Sequence, residues 1–252
     1  LALATDSPPS IDLIADDGIR HTLWTIHDPA SIAQISAVFG AMPNLYIADG
    51  HHRSAAAARV AATRRQQNHA ADSAEFFLSV IFPASQMLIM DYNRMVRDLN
   101  GLTEEAFLAE VSKCYTVGAS TTPVKPERRG VCGMYLGNRW YRLEILSGQV
   151  PVSDPVRQLD VSVLAEQLLG PLLGITDLRR DTRIDFVGGM RGLSELERRV
   201  NSGEMAVAFA MYPTQMADLI AVADTGQVMP PKSTWFEPKL ADGLVSYLLD
   251  PD

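Results

Sequence analysis

The sequence predicts a mixed α/β chain of the α+β kind, and three observations lead there. Strand-like runs alternate irregularly with helical ones, rather than in the strict order of a doubly wound sheet. Two pairs of strand-like runs meet at hairpin turns, Asp16-Asp17-Gly18 and Gly137-Asn138. Helical runs carry apolar residues three and four apart, as in Val161, Leu164, Leu168 and Leu172. At 252 residues, 47% hydrophobic and 21% charged, the chain can bury a core of ordinary globular size, in one large domain or two smaller ones.

Residues 1–10, ending Ser7-Pro8-Pro9-Ser10, read as a linker, and Leu1 in place of Met points to a trimmed or partial chain. Ile11 to Ala15 and Ile19 to Ile26 form the first expected hairpin. Asp28-Pro29 starts a short helix, Ser31 to Phe39, with Ile32, Ile35 and Val38 along one face. Leu45 to Ala48 reads as a buried strand, and the Ala-rich run Ser54 to Gln67 as a long helix. Phe76 to Phe82 and Met87 to Met90 are the next strands. Thr103 caps a helix that runs to about Cys114, with Glu104 and Glu105 near its positive end. Gly118 to Arg129, with two prolines, reads as a loop.

Val131 to Leu136 and Arg139 to Leu146 form the second hairpin, and Asp160 caps the helix that follows. Arg183 to Val187 and Met205 to Met211 are strands flanking a helix from Leu193 to Asn201, and Thr214 to Asp224 is the last helix, stopped by Gly226. Three parts are expected: the linker 1–10, a segment 11–93 and a C-terminal α+β part 94–252.

Charge and composition narrow the function. A net charge of −8 and a pI near 5.1 argue against a nucleic-acid partner, which needs a basic face. No apolar run reaches membrane-spanning length. Cys114 and Cys132 are isolated, which suggests neither a disulfide framework nor a zinc site and points to a reducing cytoplasm.

The densest chemistry is Asp49-Gly50-His51-His52-Arg53, between an apolar run and an Ala-rich run. Gly50 can take the positive φ that a sharp strand-to-helix turn needs. The next amides then open a helix unpaired, beside two imidazoles and a guanidinium, which suits an anion. Two other stretches invite phosphate. Gly188-Gly189-Met190-Arg191-Gly192 sits between a strand and a helix, and Lys232-Ser233-Thr234 follows two stiffening prolines. Neither a G-x-G-x-x-G fingerprint nor a Walker P-loop is present. His51 and His52 diverge as neighbours on a helix, so no metal site is expected from them.

Taken together, Tyr46 to Arg53, Asp91-Tyr92-Asn93-Arg94, Asp98 to Leu102, Arg183 to Gly189 and Met229 to Lys239 resemble the DUF1015 family. Around D-G-H-H-R that family is similar to free-serine kinases of the ParB/sulfiredoxin-like fold. The resemblance implies a ParB/sulfiredoxin-like core in residues 11–93 and a phosphate site at Gly50, His51, His52 and Arg53. It further implies phosphoryl transfer from ATP or ADP with Mg²⁺ to a free amino acid, most naturally L-serine. Asp49, His51 and His52 are the catalytic candidates; Lys232, Ser233 and Thr234 would form a second phosphate or substrate group. No glutamate here matches the serine kinases' base, and family members carry a further N-terminal segment. The expected partners are a nucleotide and a small molecule, with an oligomer allowed but not required. The rival reading is a ParB-like nucleotide-binding regulator without small-molecule turnover. A sulfiredoxin-like reductase would need a cysteine where Gly50-His51-His52 stands.

Overall fold

The computed structural model describes residues 5–67, 72–150 and 153–249, so the first four residues of the expected linker lie outside it. The chain forms two compact units: residues 1–80 with 239–252, and residues 81–238. The unit boundary falls between Val80 and Ile81, and the C-terminal segment from Lys239 groups with the N-terminal residues.

In the first unit, β1 (Ile11–Ile14) and β2 (Arg20–Leu23) pair antiparallel, Ile11 opposite Leu23, across the expected Asp-Gly turn. Helix α1 (Pro29–Gly40) starts at Asp28, whose carboxylate accepts the Ser31 amide at 2.9 Å. Helix α2 (His51–Gln66) begins three residues before the expected Ser54, so the histidines and Arg53 are its first turn. One expectation fails here: Leu45 to Ala48 and the described run Phe76 to Phe82 form no strand. Ile32, Ile35 and Val38 of α1 are exposed, and the described residues of this unit build only the β1–β2 pair as a sheet.

The second unit is a six-stranded antiparallel sheet in the order β5-β7-β6-β9-β4-β8. Its strands are β4 (Tyr92–Val96), β5 (Tyr115–Ser120), β6 (Val131–Leu136), β7 (Arg139–Ile145), β8 (Ile184–Gly188) and β9 (Val207–Ala210). Helix α3 (Glu104–Val111) and α4 (Asp160–Leu164), which continues as a π-helical turn through Leu169, pack Phe107, Val111, Leu164 and Leu168 onto one face with Val96, Met134 and Phe209. Helix α5 (Gly192–Asn201) covers the other face, setting Leu196 and Val200 against Met95, Val187 and Trp140. Two hydrogen bonds pin it there: Trp140 Nε1 donates to Glu197 at 2.7 Å, and Tyr135 OH to Asn201 at 2.9 Å. Helix α6 (Met216–Asp224) opens with a capping box between Gln215 and Asp218. A short pair, β3 (Leu88–Met90) with β10 (Trp235–Glu237), completes the unit.

Strands β4, β5 and β10 escaped the sequence reading. Tyr92-Asn93-Arg94 looks too polar for a buried strand, yet Asn93 and Arg94 are among the least exposed residues in the protein. The Gly137-Asn138 turn matches expectation, with both residues at positive φ, as a two-residue type I′ hairpin requires. Glycine is also demanded at Gly188: a Cβ there would stand 2.7 Å from the Trp235 ring. Gly188→Ala should therefore destabilise the protein by about 1–3 kcal/mol, through overpacking against a ring that cannot yield freely. Gly118→Ala, whose Cβ meets only an ordinary contact at 3.8 Å, is the near-neutral control in urea denaturation.

Asp160 was expected to cap α4, but the cap position is Leu159. Both Asp160 carboxylate oxygens instead accept the Gly130 amide at 3.1 Å, beside a pocket of ≈ 370 Å³, open solvent included, that Cys132 and Met211 also line. Burial pushes its pKa up to about 6, more than the Gly130 hydrogen bond and nearby Arg129 pull it down. Between roughly pH 4 and 6 the folded protein then holds a proton that the unfolded chain, at an ordinary aspartate pKa, has released. Stability falls as pH rises through that window and stays lowered above it. Asp160→Asn keeps an acceptor for Gly130 and should recover on the order of 1–3 kcal/mol at pH 7.5 but little at pH 4. Melting midpoints at the two pH values check this; equal gains at both would exclude a titrating Asp160.

Candidate functional site

The Asp49–Arg53 stretch takes the shape that an anion-binding helix start requires. Gly50 is the N-cap of α2 at φ 79, ψ 26, in the left-handed region. Its carbonyl accepts the Ser54 amide at 2.9 Å, the first bond of the helix. The amides of His51, His52 and Arg53 come before that bond and have no carbonyl to reach within the helix. No side chain caps this end, and no acidic residue sits in the first turn. The positive end of a sixteen-residue helix is thus presented with its own donors.

The side chains around it are polar, and those of the first turn are exposed. The Arg53 guanidinium lies back over Gly50, its Nε and Nη2 3.4 Å from where a Cβ would stand. His51 and His52 are both exposed on the first turn. Asp49 Oδ1 accepts the Gly50 amide at 2.7 Å, and Oδ2 accepts Lys239 Nζ at 2.9 Å across 190 residues of chain. The Lys239 hydrogen bond, reinforced by the Gly50 amide, holds the Asp49 carboxyl below its ordinary range despite some burial. Lys239 is the partner the sequence reading passed over: it was visible as the last residue of the Met229–Lys239 motif, but chain distance hid its contact.

The other predicted group lies in the second unit. Lys232 has φ 55, a left-handed conformation that only three non-glycine residues adopt among those described. Its side chain is exposed, with Nζ 5.8 Å from the Tyr92 ring centroid. Ser233 is buried; its hydroxyl donates to the Pro230 carbonyl at 2.7 Å, and its own carbonyl accepts Thr214 Oγ1 at 2.9 Å. Thr234 is half-buried just before β10. Lys232 is therefore the member of this triplet that reaches solvent with its charge, while Ser233 holds the turn.

Arg94 is the residue that sequence reasoning quoted within a motif but gave no part. It is 1% exposed in mid-sheet, donates to the carbonyls of Tyr92 and Lys232, and lies over the Phe186 ring at 5.6 Å. The only sequence signal was its place in the Asp91-Tyr92-Asn93-Arg94 motif, since the polarity of that stretch hides the strand. The glycines Gly188 and Gly189 serve packing: a Cβ on Gly189 would fall 2.2 Å from Asp91 Oδ1.

Removing Lys239 should let the Asp49 pKa climb toward the ordinary carboxylate value, because its strongest stabilising partner is gone. Carboxylate-detected NMR titration of Lys239→Ala reads the shift. Global stability should change by no more than about 1 kcal/mol, since both partners are half exposed.

Comparison with known proteins gives a family and a set of distant structures. No curated protein matches the chain. A free serine kinase in complex with AMP is 16% identical, with a TM-score of 0.40, over 84% of this chain and 81% of that one. A free serine kinase variant in complex with ADP matches over the same shares at 16% identity and a TM-score of 0.39. A conserved hypothetical protein from Pyrococcus furiosus is 17% identical, with a TM-score of 0.39, over 81% of each chain. The DUF1015 family, described as proteins of unknown function, matches over residues 1–162, and the chain belongs to it.

Proposed function

We propose that this protein is a nucleotide-dependent small-molecule kinase that phosphorylates a free amino acid, L-serine in the first instance, at the start of α2. The observation that carries this reading is the helix start itself: a left-handed Gly50 releasing three amides, an uncapped positive helix end, and Arg53 folded over it. Phosphoryl transfer asks a protein mainly for positioning and charge neutralisation, and this arrangement offers both. The D-G-H-H-R resemblance supplies the acceptor class; it would also put a ParB/sulfiredoxin-like core in residues 11–93, although residues 81–93 belong to the second unit.

In this reading the amides of His51, His52 and Arg53 hold the donor phosphates, and the Arg53 guanidinium clamps two oxygens at once. The serine hydroxyl attacks the terminal phosphorus of ATP or ADP, the bridging P–O bond breaks, and the hydroxyl proton passes to a base. His51 or His52 serves as that base or as a neutral donor to the transferring group. Asp49, whose carboxylate holds the Gly50 amide and Lys239, would orient either the imidazoles or a hydrated Mg²⁺. Lys232, with Ser233 and Thr234 shaping its turn, is assigned to phosphate or substrate binding.

Among the described residues no three His, Cys, Asp or Glu side chains are grouped to hold a metal ion. A single carboxylate, Asp49, fits a Mg²⁺ that arrives on the phosphates and keeps most of its water. Bound there, the ion would neutralise phosphate charge. No described helix is long and apolar enough to cross a membrane.

A panel of ATP and ADP against free amino acids, scored by mass of the phosphorylated product, tests the reading. With a substrate in hand, Asp49→Asn and His52→Ala should each lower turnover at least about a hundredfold, with nucleotide affinity changed far less, as expected for contacts realised mainly in the transition state. Arg64→Ala, late in α2, is the control. Wild-type turnover in both site variants would remove the catalytic assignment. Nucleotide binding without any product would instead favour a ParB-like regulator.

A further inference from the structure

Arg94 is a buried charge with no counter-ion. Its side chain lies in the middle of β4, between β9 and β8, where Arg94 pairs with Phe209 on one side and Phe186 on the other. Among the described residues no carboxylate pairs with it. Nη1 donates to the Tyr92 carbonyl, Nη2 donates to the Lys232 carbonyl at 3.0 Å, and Nε has no partner at all. Burial draws its pKa down to about 10, so the guanidinium remains charged at neutral pH. A buried, unpaired charge is costly, and an apolar side chain of similar length would fill the same space without that cost. What such a side chain could not do is grip a carbonyl 138 residues away.

That carbonyl belongs to the one residue of the turn whose backbone is strained. Lys232 sits at φ 55, which a side chain with a Cβ adopts reluctantly. The Arg94 bond fixes the direction of the Lys232 carbonyl, and the Thr214–Ser233 and Ser233–Pro230 bonds hold the carbonyls of Ser233 and Pro230 in the same turn. Tyr92, two residues from Arg94 and on the same face of β4, lays its ring beside the Lys232 ammonium. One strand thus supplies both the clamp on the backbone and the wall along which the side chain lies.

We propose that Arg94 is a positioning residue that acts through Lys232, holding its backbone left-handed so that the exposed ammonium is pre-set to bind a phosphate anion. Arg94 does not touch the ligand; its guanidinium is shielded from solvent. This rests on the reading of Lys232 as an anion-binding group.

The test is a double-mutant cycle on the full chain, with ADP binding followed by calorimetry. Lys232→Ala and Arg94→Met should each weaken binding by about tenfold, and the double variant should be no weaker than Lys232→Ala alone, because one acts through the other. Multiplying effects would overturn the positioning role, as would an unchanged affinity in Arg94→Met when Lys232→Ala is impaired. Unchanged binding in Lys232→Ala removes the anion-binding reading of Lys232, and this proposal with it. A wild-type chain that does not bind ADP removes the proposed function, and again the proposal falls. If Arg94→Met does not fold, Arg94→Lys, which keeps the charge but loses the fork, enters the same cycle. An independent readout is the ring-current shift that Tyr92 imposes on the Lys232 side chain. It should collapse toward the exposed-lysine position in the Arg94 variant; its persistence would overturn the proposal.

Discussion

The second unit depends on burying polar side chains on an inner strand of its sheet, β4. Strand β4 carries Asn93 and Arg94 into positions where apolar residues would be expected. Asn93 is fully employed there: Oδ1 accepts the Met211 amide at 2.9 Å and Nδ2 donates to Asp91 at 2.7 Å. Those bonds offset the cost of burying Asn93 and tie the residue after β9 to β4. The bare glycines opposite answer a separate, steric demand. Gly188 faces Tyr92 across the ladder, and only without a Cβ can Trp235 close over that end of the sheet.

The two groups of candidate residues rest on different physics. Asp49 to Arg53 uses backbone donors and exposed side chains, which cost little to leave waiting and respond to an incoming anion by electrostatics. Lys232 is exposed at its tip but anchored at its backbone by bonds that are partly or wholly buried. Substitutions at the first group should therefore change stability little, and those under Lys232 act on shape before charge.

The cysteines illustrate what burial excludes. Cys132 is enclosed in the sheet, its Sγ 3.8 Å from Met211 Sδ, and desolvation pushes its thiol well above the ordinary range. A thiol held protonated in an apolar setting is no nucleophile. Thiolate chemistry at Cys132 is thus opposed by its burial.

What the sequence determined by itself was local. The Asp-Gly and Gly137-Asn138 hairpins, the Thr103 cap on α3, the Asp28 start of α1 and the glycine that turns the chain into α2 all depend on residues within a few positions of one another. Those local rules also exposed the candidate anion site at Gly50 to Arg53. Tertiary structure decided whatever joins distant residues: the Lys239 partner of Asp49, the Arg94 clamp on Lys232, and the Gly130 amide that takes Asp160 away from capping α4. It also made Tyr92-Asn93-Arg94 an inner strand, because pairing on both sides outweighs the polarity that hides such a strand from a hydrophobic pattern. And it left the apolar stripe of α1 exposed, since periodicity fixes which face of a helix is apolar while a facing layer must exist to bury it.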